Sequence, residues 1–276
     1  MRVRINSMAC PTTLNTAKNC TFSLLTFALC LLTFFSVPAR LISQSLPPQV
    51  PLPRDDRVAP AVVQLLAVGP AGKEQNRECS ATAFLIDEEG YLVTNAHVVE
   101  NAQHCLERAP GAKILAKLTV SDTRTAPAVP CDVAGLDKAH NLALLKAERP
   151  LVRNLGERPP YAVLDARAAS IGTAVTVSGY PAFSWQPLTQ AGHITWSGIS
   201  RLEEIGDPLA STGDLVEIDV HLRPGNSGSP VYLPGGGVIA VIEKRDALRP
   251  DHSIAVAVHY AIELADRHQA RWHGAD

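Results

Sequence analysis

From about residue 58 onward the chain is built of short runs dense in β-branched and apolar residues, each closed by Gly, Pro, Asn or Asp: 62–68, 82–86, 91–94, 114–120 and 142–146. Runs of this length and spacing predict an antiparallel sandwich or barrel. A second series, 174–177, 193–196, 215–222, 238–242 and 254–258, follows a proline- and arginine-containing stretch at 149–160. In 215–222 the apolar Val216, Ile218, Val220 and Leu222 alternate with Glu217, Asp219 and His221, which predicts a strand with one buried and one solvated face. Only the C-terminus carries a substantial helical period, with Ala261, Leu264, Ala265, His268 and Trp272 on one face. That helix is expected to pack back on the second β-rich half. The pattern divides the folded part into 61–150 and 151–276 and is consistent with twin barrels.

Residues 1–39 read as an export segment. Arg2, Arg4 and Lys18 precede an apolar run at 22–37 that closes on Val37-Pro38-Ala39, the small-residue pattern of a cleavage site. The run falls short of the roughly 20 residues a spanning helix needs, so a cleaved signal peptide is expected over a retained anchor. Leu29 before Cys30 is too large for a lipidation signal. Residues 40–60, rich in proline and poor in large apolar side chains, predict an extended linker. Cleavage would leave a periplasmic or secreted protein with no stable membrane association.

Charge and cysteine usage narrow the partners. With 25 basic and 27 acidic residues and no block of like charge, the chain offers no footprint for nucleic acid or a membrane surface. Cys10, Cys20 and Cys30 fall in the export segment, which leaves Cys79, Cys105 and Cys131 in a compartment where disulfides persist. One of these three stays unpaired within a monomer. No spacing makes a paired Cys-x-x-Cys, and neither a metal nor an organic cofactor is expected.

Two segments carry candidate chemistry. Gly225-Asn226-Ser227-Gly228-Ser229-Pro230 follows an expected strand, and its small residues allow a sharp turn with close substrate approach. Such a turn can aim the N–H groups of Gly225 and Ser227 at one spot, as an oxyanion hole requires. Thr94-Asn95-Ala96-His97-Val98-Val99 places His97 at the end of an expected strand in the first half. A serine hydroxyl is a poor nucleophile without a base, so Ser227 and His97 form a candidate pair.

Together these segments resemble the trypsin-like serine peptidases, most closely the bacterial HtrA branch. The likeness runs from about 62 to 258 and includes Ala83-Phe84-Leu85-Ile86, Asn141-Leu142-Ala143-Leu144-Leu145-Lys146, Gly179-Tyr180-Pro181, Gly198-Ile199-Ser200 and Ile254-Ala255-Val256-Ala257-Val258. It implies an all-β fold of two six-stranded antiparallel barrels of chymotrypsin type with a C-terminal helix. His97 and the acidic triad member would sit on the first barrel, Ser227 on the second, and the active site in the cleft between. The implied function is exported endopeptidase action through an acyl-enzyme on a protein or peptide substrate. Substrate would lie as an added strand along Ala240, Val241 and Ile242 to Glu243. His221, six positions before Ser227, would fall at the base of the primary specificity pocket; the alternative is an outward polar residue. The resemblance suggests a Cys79–Cys105 disulfide around His97, with Cys105–Cys131 as the competing pair. His104, His140, His193, His252, His259, His268 and His273 are read as surface residues. The chain ends soon after the helix, so no appended peptide-binding PDZ domain is expected.

The pattern departs from the family at one position. The stretch that should close on the triad aspartate reads Asp137-Lys138-Ala139-His140-Asn141, which puts Asn141 in its place. In a Ser–His–Asp triad an Asp-to-Asn change lowers kcat by about 10⁴. Three readings follow: a working Ser–His–Asn site, rescue by Asp137, or a weak or inactive homologue that binds peptides in the same cleft.

Overall fold

The computed structural model describes residues 58–68, 80–107, 113–121, 124–125, 127–151, 160–181, 184–201 and 212–275, all within one compact unit. The expected export segment, most of the linker, and Cys79 lie outside these residues.

The first half comprises β1 (Val62–Val68), β2 (Ser80–Leu85), β3 (Tyr91–Thr94), α1 (Ala96–Glu107), β4 (Lys113–Ser121), the short β5 (Arg124–Thr125), β6 (Val129–Asp137) and β7 (Leu142–Ala147). Antiparallel pairing in the order β1-β2-β3-β7-β6-β4, with β4 returning to β1, closes a six-stranded barrel. The β2–β3 hairpin is set by its turn chemistry. Buried Asp87 accepts hydrogen bonds from the N–H groups of Gly90 (2.9 Å) and Tyr91 (2.8 Å), while Gly90 takes a φ of +97° that favours glycine.

The second half comprises β8 (Val163–Leu164), β9 (Ala174–Gly179), β10 (Leu188–Arg201), β11 (Thr212–Ile218), β12 (Pro230–Tyr232), β13 (Gly237–Arg245), β14 (Ser253–Ala257), α2 (His259–Arg267) and β15 (His273–Gly274). The order β12-β9-β10-β11-β14-β13, with β13 returning to β12, closes the second six-stranded barrel. β8 adds in parallel to β13, and β15 to β8. The β1–β4 and β12–β13 pairings close both sheets over most of their length, and the twin-barrel expectation holds.

One apolar cluster fills the first barrel and continues through Val238, Val241 and Val256 of the second into Ala261, Leu264 and Ala265 of α2. A second cluster, including Val175, Val177, Ile194, Ile218 and Val231, fills the second barrel. The halves therefore share a core.

Three expectations are corrected. α1 is a second substantial helix. Its adjacent Val98 and Val99 favour strand locally, but Val99 and Ala102 are buried where α1 packs on β1 and β7. α2 ends at Arg267, with His268 as its cap and Trp272 beyond it, and it packs mainly on β6 and β7 of the first barrel. β11 stops at Ile218, and Glu217 is buried where alternation predicted solvent. Residues of the β13–β14 connection cover it: Arg249 forms a salt bridge with Glu217, and His252 Nε2 lies 3.7 Å away.

Leu264 is 1% exposed within the shared cluster, so Leu264→Ala should cost about 2–5 kcal/mol in urea unfolding. A loss under about 1 kcal/mol would show that α2 is not part of the cooperative core.

Candidate active site

β3 ends at Thr94, and the buried Asn95 side chain donates to the Asn141 carbonyl across the barrel (3.1 Å). The N–H of Ala96 donates to the same oxygen (3.1 Å). These bonds place His97 in the first turn of α1 beside the loop that carries Asn141. Asn141 has φ +52°, a left-handed conformation that asparagine tolerates better than most residues. Its Oδ1 accepts from the His97 backbone N–H at 3.1 Å and lies 3.1 Å from His97 Nδ1.

That double contact decides the histidine tautomer. A backbone N–H can only donate, so the Asn141 atom facing it is the amide oxygen. The same oxygen then requires the ring proton on Nδ1, which leaves Nε2 with its lone pair. Burial is the largest influence on His97 and holds its pKa below the ordinary value; Lys244 adds to this, while Asn141 and Glu100 pull the other way. Asn141 Nδ2 is buried with no acceptor among the described residues.

Ser227 lies across a cavity of about 240 Å³ that His97 and Asn141 also line. Its Oγ donates to the Glu243 carbonyl at 3.3 Å. Arg223 to Asn226 form a turn in which the Arg223 carbonyl accepts from Asn226 N (3.1 Å) and Nδ2 (3.2 Å). The φ of +97° at Gly225 is what a type II turn demands at its third residue. Gly228 has φ +85°, and a side chain there would run into the Thr82 carbonyl. Among the described residues, no acceptor takes the N–H of Gly225 or Ser227.

Thr82 holds this turn in place, and the sequence reading missed it. Its backbone N–H donates to the Ser227 carbonyl (3.0 Å). Its hydroxyl donates to the Gly225 carbonyl (2.8 Å) and accepts from Tyr180 N (2.9 Å). The only local signal was a polar residue inside the apolar strand Ala81-Thr82-Ala83-Phe84.

Other expected site residues fall differently. Ala240 and Val241 are fully buried, with β12 on one side and β14 on the other; of the three, only Ile242 lines the cavity. β12 pairing ends at Val241, and the strand bulges at Glu243 before Lys244 and Arg245 pair with β14. His221 is exposed, with Nδ1 2.9 Å from the Pro250 carbonyl, and Leu222 and Arg223 line the cavity in its place. Asp137 accepts from Arg267 Nη2 (2.6 Å) and lies 3.1 Å from His140 Nδ1. Burial pulls its pKa up, but the bonds from His140 and Arg267 outweigh that and hold it below the ordinary value. His140, stacked on Tyr260, and His252, facing Glu217, are half-buried rather than surface groups. Cys131 is a free buried thiol with its pKa pushed up to about 12 by burial, which rules out the Cys105–Cys131 pair. The Cys79–Cys105 pairing lies outside the described residues.

Comparison with known proteins fits this geometry. The family model described as "Trypsin-like peptidase domain" matches residues 81–241. The uncharacterized protein y4bJ of Sinorhizobium fredii is 28% identical over 76% of this chain and 28% of its own length. A probable periplasmic serine endoprotease, DegP-like, of Halomonas elongata is 28% identical over 72% of this chain and 37% of its own. The chain thus spans about a third of the length of these relatives. Among solved structures, the HtrA-type protease AlgW with tripeptide superposes with a TM-score of 0.57 at 23% identity, over 76% of this chain and 60% of that one.

Thr82→Val keeps the shape and removes the hydroxyl, leaving the Gly225 carbonyl and Tyr180 N–H without their partner. It should cost about 1–3 kcal/mol in urea unfolding, and Thr82→Ser should recover most of it. Equal stability of the valine variant would remove the hydroxyl's role as a strap.

Proposed function

The chain belongs to the trypsin-like peptidase family, and on that premise we propose that it is an exported serine endopeptidase of HtrA type, with Ser227 as nucleophile and His97 as general base. The observation that carries the reading is the Asn141 oxygen shared by the His97 backbone N–H and Nδ1, with Ser227 across the same cavity. Export is supported by the basic and apolar pattern of 1–39 and by the periplasmic naming of the DegP-like relatives. Among the described residues, no helix is long and apolar enough to cross a membrane.

In this mechanism the Ser227 hydroxyl turns from the Glu243 carbonyl toward His97 Nε2. As Oγ attacks the substrate carbonyl carbon, Nε2 takes its proton and the carbonyl oxygen becomes an oxyanion. The N–H groups of Gly225 and Ser227, which no acceptor takes among the described residues, would receive that charge. The imidazolium then protonates the leaving amine, the C–N bond breaks, and water activated by His97 releases the acyl group. Substrate would add as a strand along Glu243–Arg245, where β12 no longer pairs, rather than along 240–242.

Asn141 serves here as the orienting member. The loss from an Asp-to-Asn change in a triad reflects an amide that donates to the histidine and enforces the wrong tautomer. Here the backbone N–H of His97 fixes the amide oxygen toward the ring, so the tautomer is retained. What is missing is the negative charge beside the imidazolium, and the penalty should stay well below 10⁴. Asp137, already bound by Arg267 and His140, is not needed for this arrangement.

A fluorophosphonate should label Ser227 in the folded protein, and Ser227→Ala and His97→Ala should abolish labelling. No labelling of a folded sample would favour a peptide-binding, inactive homologue. Because burial lowers the His97 pKa, the base is neutral at pH 7. Activity should be complete above about pH 6.5, the ordinary histidine value, and fall as pH drops through the lowered folded pKa. Asn141→Asp should raise hydrolysis roughly 10- to 100-fold and move the acid limb to higher pH. An unchanged rate and limb would remove Asn141 from the catalytic group.

A further inference from the structure

We propose that the cleft selects acidic peptides, with Arg223, Lys244 and Arg245 receiving Glu or Asp side chains next to the scissile bond. The proposal rests on the peptidase reading of the same site and adds its substrate class. All three cations line the cavity that holds His97 and Ser227. Among the described residues the one carboxylate lining it is Glu243, which is buried and lies 3.9 Å from Lys244 Nζ. Among the described residues, neither Arg223 nor Arg245 has an ion-pair partner. Elsewhere on the molecule Arg167, Arg249, Arg267 and Arg271 each meet a carboxylate. In a chain of net charge −2, the described residues lining the cleft carry an excess of positive charge.

The backbone positions bring these cations alongside a substrate. Lys244 and Arg245 belong to the strand segment left open beyond β12, so a peptide added there would run past them. Arg223 opens the turn that carries Gly225 and lines the same cavity. Gathering like charges in one cavity is unfavourable until a counter-charge enters, and a guanidinium meets a carboxylate with two parallel hydrogen bonds. A bound carboxylate near Lys244 would also offset the positive charge that lowers the basicity of His97.

The test uses paired, internally quenched peptides that differ only by Glu or Gln at positions on either side of the scissile bond. At low ionic strength the wild-type chain should prefer the Glu member about tenfold in kcat/KM. The preference should fall toward one in Arg223→Gln/Arg245→Gln and be partly retained in Arg223→Lys/Arg245→Lys. Because each ratio is taken within one variant, a reduced folded fraction does not alter it. Equal rates for Glu and Gln peptides, or a preference that survives the glutamine variant, would overturn the proposal. If neither peptide is cleaved, the same pairs are titrated into the Ser227→Ala protein by fluorescence anisotropy, where equal affinity overturns it and tighter acidic binding supports it. Fluorophosphonate labelling reports separately on Ser227, so failure of the peptidase reading is distinguishable from failure of the charge selection.

Discussion

Thr82 sits in the first barrel, yet all of its hydrogen-bonding groups are spent on holding two elements of the second barrel and one strand of its own. Its N–H meets the Ser227 carbonyl, its hydroxyl joins the Gly225 carbonyl to the Tyr180 N–H, and its carbonyl accepts from Thr94 Oγ1 at 2.7 Å. The residue is fully buried, where each unmade bond would cost free energy. The two barrels can therefore dock in one register without stranding polar groups, and that register brings Ser227 to the cavity that His97 lines. Tyr180, also fully buried, adds a bond from its hydroxyl to Thr119 Oγ1 (2.9 Å) on the first barrel.

A second constraint acts within the first barrel and sets the chemistry of His97. Asn95, Ala96 and His97 all bond to Asn141, through either its carbonyl or its side-chain oxygen. The start of α1 and the loop before β7 thus form one hydrogen-bonded unit. An amide can take the orienting role of a carboxylate here because its oxygen is fixed by a main-chain donor rather than by the histidine alone. What it cannot supply is charge, and charge is also what distinguishes the cleft, where among the described residues cations outnumber carboxylates.

Much of this architecture was legible in the sequence because it is encoded locally. The runs at 62–68 and 91–94 coincide with β1 and β3, since β-branched and apolar residues bounded by turn formers specify strands without help from distant contacts. The glycine turn around Ser227 was likewise visible, and φ values of +97° at Gly225 and +85° at Gly228 explain why glycine is needed there. Features that depend on distant partners were not legible. α1 forms because Val99 and Ala102 find a surface on β1 and β7, against the local preference of Val98-Val99. Glu217 is buried because Arg249, far along the chain, covers it. Ala240 and Val241 read as a substrate strand, but closure of the second barrel occupies both their edges and moves the open edge to Glu243.

The fate of Asp137 follows from the same non-local logic. In the sequence it stands four residues before Asn141, close enough to suggest a replacement carboxylate for the triad. In the fold it closes β6 and faces α2, where Arg267 reaches it at 2.6 Å and His140, stacked on Tyr260 of the same helix, lies beside it. Freeing it to turn toward His97 would leave Arg267 and His140 without their partner and loosen the helix that the shared core holds against the first barrel. The carboxylate thus anchors the C-terminal helix to the loop that positions Asn141. It supports His97 through that loop's shape, while direct contact with the ring belongs to the amide.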